Sequence, residues 1–110
     1  MQGRGFEPGS MVLLMLQSPQ QKYFGVLLKL AEAGVELRGV PLESLEDLAR
    51  QIRAGERAGA SVLFFPMHRV ERLELDAPAG DLPSLGDSFA TQAGRAVEEV
   101  FGHGIEDPCR

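Results

Sequence analysis

Leu63-Phe64-Phe65-Pro66-Met67-His68-Arg69-Val70-Glu71-Arg72-Leu73-Glu74-Leu75 is the stretch that decides the fold of this chain. Up to Phe65 it reads as a strand apolar on both faces, which needs cover on both sides. From Val70 onward Leu73 and Leu75 alternate with Arg72 and Glu74, the period-2 pattern of a half-solvated strand. A proline-led corner joins the two strands, as it does where a small sheet bends sharply or closes into a barrel. No catalytic signature lies in the stretch.

The rest of the chain repeats this grammar. Strands are expected near 11 to 17, 23 to 32 and 35 to 40, in addition to 61 to 66 and 70 to 76. Gly25 sits where a curling strand needs a bulge or bend. Ala31-Glu32-Ala33-Gly34 reads as a short hairpin loop, with Gly34 suited to a positive φ. In the third strand Val35, Leu37 and Gly39 share one face, and Glu36 and Arg38 the other. Pro41 ends that ladder. Ser44-Leu45-Glu46-Asp47 then has the form of a capping box, and Leu45, Leu48, Ala49 and Ile52 continue as the apolar stripe of a helix near 45 to 55. After a linker rich in turn residues, a second helix is expected near 87 to 101, capped by Ser84 or Asp87, with Phe89, Ala93, Val97, Val100 and Phe101 on one face. The expected fold is therefore mainly β with two helices, an α+β arrangement. It is either a small, strongly bent antiparallel sheet or a barrel of the SH3 type, with one inserted helix and one C-terminal helix.

Three regions follow: an extended or mobile N-terminal arm over 1 to 10, a β domain over 11 to 76, and a linker, helix and tail over 77 to 110 packed on the same domain. A chain of 110 residues with 44% hydrophobic and 25% charged content suits one domain with one core. Six Phe, one Tyr and no Trp leave most of the burial to aliphatic side chains. The net charge of −5 disfavours a partner held mainly through its phosphates. The single cysteine, Cys109, excludes an intrachain disulfide and reads as an inert terminus, so a cytoplasmic location is expected. Met11 to Leu16 is the longest apolar run and falls far short of a membrane span.

Two stretches resemble the Sm-like superfamily of small barrels, which includes the bacterial RNA chaperone ring and the eukaryotic Sm cores. Gly34-Val35-Glu36-Leu37-Arg38-Gly39, leading to Leu45-Glu46-Asp47-Leu48, is similar to the first family motif. Phe64-Phe65-Pro66-Met67-His68-Arg69-Val70-Glu71-Arg72-Leu73 follows the outline of the second. The resemblance implies an Sm-like barrel and strand pairing between subunits. It also implies a base-binding pocket, whose positions here hold Leu48, Arg50 and Pro66. These offer neither an aromatic stacker nor an asparagine amide, so the RNA contact expected is electrostatic and weak.

Three functional readings follow. The first is a non-enzymatic binding or assembly module that forms homo-oligomers through Val62, Leu63, Phe64 and Phe65, since one core covers only one face of that strand. The second is an RNA binder using Arg50, Arg53, Arg57 and Arg69, which needs those side chains on one surface. The third is a small enzyme or ligand-binding protein centred on His68, with Arg69 and Glu71, which needs a concave pocket joining His68 and Glu71. His68 and His103 have no metal-ligand spacing with Cys109 or each other, and no phosphate loop, nucleophile elbow or dinucleotide motif is present, so neither metal nor cofactor is expected.

Overall fold

The computed structural model describes residues 5–102 and contains the five expected strands. They are β1 (Met11–Leu16), β2 (Gln21–Leu30), β3 (Gly34–Pro41), β4 (Ser61–Pro66) and β5 (Val70–Leu75). All neighbours are antiparallel, in the order β4-β3-β2-β1-β5. β4 and β5 are thus the two edges, and the sheet stays open. Of the two forms expected, the bent sheet is the one adopted. Gly9 and Ser10, at the end of the leader, are tied to β2: the Gly9 N–H donates to the Leu27 carbonyl and the Leu27 N–H to that of Ser10, each at 2.8 Å.

The bend follows from the hydrogen bonds at the corner. Met67–Arg69 forms a three-residue 3₁₀ turn between β4 and β5. Its first N–H, from Met67, donates to the Ala33 carbonyl, and its last carbonyl, from Arg69, accepts from the Gln17 N–H, both at 2.9 Å. Ala33 follows the end of β2 and Gln17 precedes its start. A straight strand of ten residues would hold those points about 30 Å apart. One short turn that touches both must therefore face a strand curled back on itself. The rings of Tyr23 and Phe65 lie 4.8 Å apart although their partners on β3, Pro41 and Val35, sit at its opposite ends.

Gly25 and Gly39 face each other at the middle of β2 and β3. A Cβ on Gly25 would meet the Arg38 carbonyl oxygen at 2.2 Å, so the strands approach too closely there for any side chain. The register also slips between Leu27 and Lys29, a bulge that adds to the bend.

This curvature produces two cores where one was expected. The concave face buries Val12, Leu14, Leu16, Leu27, Val35, Leu37 and Phe65 against one another. The convex face buries Phe24, Val26 and Val40 under α1 (Leu45–Arg53), α2 (Leu85–Ala93) and α3 (Val97–Phe101). Phe101 sits edge-on to both Phe24 and Phe89, with centroids 5.5 and 5.6 Å away.

Several local expectations are corrected. The single helix expected near 87 to 101 is two, because Gly94 takes a left-handed φ of 78° and ends α2. The stripe Phe89, Ala93, Val97 and Phe101 still faces the core. Ser84 caps α2, its Oγ accepting the Asp87 N–H at 3.1 Å. Ser44 does not cap α1: it closes a 3₁₀ turn, Leu42–Ser44, with helical backbone angles in place of the extended ones of an N-cap, and its side chain makes no cap hydrogen bond. Asp47 instead pairs with Arg50. Gly34 has no positive φ; a Cβ there would lie 2.2 Å from the Phe65 carbonyl oxygen and 2.7 Å from the Phe64 ring. Close packing, not turn geometry, requires glycine at that position. His103 and Cys109 lie outside the described residues.

Candidate functional site

Of the four arginines read as an RNA surface, Arg50, Arg53 and Arg69 are engaged within the fold, and Arg57 is exposed. Arg50 pairs with Asp47 one turn earlier on α1, where both side chains are exposed. Arg53 reaches from α1 to the end of α2, where its guanidinium donates to the Thr91 carbonyl at 2.9 Å and to that of Gln92. Carbonyls in a last helical turn lack partners within the helix, and a cation there is favourable. Arg57 is exposed on the linker into β4, beside a shallow hollow shared with Glu56, Arg95 and Glu99. Arg69 belongs to the strand corner. It donates to the Gln17 carbonyl at 2.8 Å, the Pro19 carbonyl at 3.1 Å and Gln21 Oε1 at 3.0 Å, clamping the corner to the β1–β2 turn.

His68 is exposed on the same corner, and its carbonyl accepts from Gln17 Nε2 at 3.3 Å. Glu71, on β5, lines a groove of about 590 Å³ together with Met15, Gln21, Lys22, Glu43 and Arg72. His68 does not line that groove. The walls carry charges of both signs, and Arg72 is also engaged with Glu74 at 3.0 Å. Among the described residues no group of three or more acidic, histidine or cysteine side chains is placed to hold a metal. No described helix is long and apolar enough to cross a membrane.

β4 is the remaining candidate, and its two faces differ. Leu63 and Phe65 point into the concave core. Val62 and Phe64 point to the convex side, beyond the reach of the helices, and are 60% and 54% exposed. Among the described residues, the cover that the sequence requires on both faces is thus present on one only. Phe89, Val97 and Phe101 pack over Phe24 and Val26 of β2, not over β4.

Among the described residues, the main chain of β4 has an open side as well. The Met67 N–H donates to the Ala33 carbonyl, which fixes the phase of the ladder in the register that pairs Gly34 with Pro66. Hydrogen-bonded pairs alternate along an antiparallel ladder. Ser61, Leu63 and Phe65 therefore bond to β3, while the N–H and C=O groups of Val62 and Phe64 point to the free side. Pro66, which has no N–H, falls in the same outward phase, where an edge strand tolerates proline. Sequence reasoning identified β4 as needing cover but not which two residues lack it. Pairing with Glu36 and Arg38, on the polar face of β3, marks the two, and that register comes from the structure.

No family model matches this chain, and no curated protein or solved structure matches it either.

Proposed function

We propose that this protein is a non-enzymatic binding or assembly module that self-associates through the β4 edge. One observation carries the reading: Val62 and Phe64 are exposed, apolar and adjacent on a strand whose outward main-chain groups are open. Edge strands are normally blunted by charge, by cover or by early termination. Between Ser61 and Pro66 there is no charged residue at all. The Sm-like resemblance points the same way, since its two motifs lie on β3 leading into α1, and on β4, the corner and β5. The engagement of Arg53 and Arg69 with main-chain carbonyls weighs against the RNA reading, and the separation of His68 from the groove holding Glu71 weighs against the enzyme reading.

Light scattering over a concentration series tests the proposal. The wild-type chain is expected to run as an oligomer, and Phe64→Glu as a monomer with unchanged far-UV circular dichroism. Phe65→Glu is unsuitable for this purpose because Phe65 is a core residue. A wild-type chain that stays monomeric at every concentration overturns the reading.

A further inference from the structure

We infer that the assembly is a two-fold dimer in which β4 pairs antiparallel with β4 of a second copy, centred on Leu63. The inference rests on the self-association proposed above and specifies its geometry. Three independent features carry it.

The first is the hydrogen-bonding phase. The free main-chain groups of β4 belong to Val62 and Phe64. An antiparallel pairing centred on Leu63 sets Val62 opposite Phe64 of the other copy, and Phe64 opposite its Val62. Each of these pairs exchanges two bonds, so four bonds satisfy every outward N–H and C=O of the two residues in both copies. Centring on Phe64 would set Val62 against Pro66, which has no N–H to give. Centring on Val62 would pair Phe64 with Ala60, which precedes the strand.

The second feature is the disposition of faces. A two-fold axis perpendicular to the sheet keeps convex side chains on the convex side. Val62 and Phe64 of both copies then form one apolar cluster, flanked by their β3 neighbours Arg38 and Glu36. Leu63, partly exposed at the margin of the concave core, meets Leu63 of the other copy.

The third feature is the contrast with the other edge. β5 carries Glu71, Arg72 and Glu74 among its six residues, the charge pattern of a guarded edge, whereas β4 carries none. In the order β4-β3-β2-β1-β5 with every pair antiparallel, both edges run in the same direction. Joining β4 to β5 of the next copy with the faces kept in place would make a parallel pair, the less stable kind, in an otherwise antiparallel sheet.

Disulfide trapping in a Cys109→Ser background tests the geometry. Across a non-hydrogen-bonded antiparallel pair the Cα atoms are about 4.5 Å apart, within the range of roughly 4.4–6.8 Å that a disulfide spans. Leu63→Cys alone should therefore trap as a covalent dimer under mild oxidation. Because Leu63 is partly buried, a second arm uses the exposed positions. A mixture of Val62→Cys and Phe64→Cys chains should give a covalent heterodimer, while each chain alone traps poorly, its cysteines lying two residues out of register. If wild type associates but both arms fail, and a double variant carrying Leu63→Cys and Leu73→Cys in one chain traps as a ladder of larger species, the two-fold geometry is overturned in favour of head-to-tail β4–β5 pairing, and self-association stands. A monomeric wild type removes both.

Discussion

Removing the Asp76 carboxylate should detach α2 from the sheet more effectively than removing its local cap. Asp76 follows β5 directly, and its N–H donates to the Met11 carbonyl at 2.9 Å. Its two carboxylate oxygens accept the Leu85 and Gly86 N–H groups, each at 2.8 Å. With Ser84 Oγ on the Asp87 N–H, all three first-turn amides of α2 have acceptors. A hydrogen bond to a charged group contributes about 1.5–3 kcal/mol, and the partial exposure of Asp76 places it at the low end, near 1.5 kcal/mol per bond. The favourable helix-terminus field is the same electrostatic effect and is not added. Asp76→Ala should therefore cost about 3 kcal/mol. Asp76→Asn keeps one acceptor oxygen and presents an NH₂ group to the other amide, so about half of that loss is expected. Ser84→Ala should cost about 1 kcal/mol. The two sites share one helix end, so the double variant should depart from additivity. Urea unfolding at unchanged m-value measures the four variants against wild type. A loss below about 1 kcal/mol for Asp76→Ala would refute the claim that this carboxylate holds α2 on the sheet.

Three further outcomes can be checked. Gly25→Ala should cost at least about 2 kcal/mol through overpacking, while Gly59→Ala, whose Cβ would meet nothing within 4 Å, should be near neutral in the same denaturation assay. Arg69→Ala should lose about 1–2 kcal/mol with its three bonds, against a change within about 0.5 kcal/mol for exposed His68→Ala. Titration with oligo-U and oligo-A should show weak, unselective binding that falls steeply with salt; tight, selective binding that survives Arg50→Ala and Arg57→Ala would contradict it.

The amino-acid sequence determined the elements and most of their faces. Alternation placed β3 and β5, apolar runs bounded by turn residues placed β1, β2 and β4, and the stripe Leu45, Leu48, Ala49, Ile52 placed α1, because burial period is a local property of the chain. The proline-led corner and Gly25 announced a bend for the same reason. The break at Gly94 was legible in principle as a glycine after an apolar stripe, but a stripe continuing through Val97 and Phe101 masks it.

What escaped the sequence is what depends on partners distant along the chain. Asp76 caps a helix that begins nine residues later, and Arg53 and Arg69 bond to carbonyls 38 or more residues away. An arginine written in a sequence looks equally free whether its guanidinium meets solvent or a helix end. Val62 and Phe64 likewise look no different from Leu63 and Phe65 in one dimension. Only the placement of the helices over β2, and the phase of the β3–β4 ladder, separates the covered pair from the exposed one. Chain composition fixes how much apolar surface must be hidden, whereas the tertiary structure decides which part of it is left for a partner, because cover comes from segments far apart in sequence.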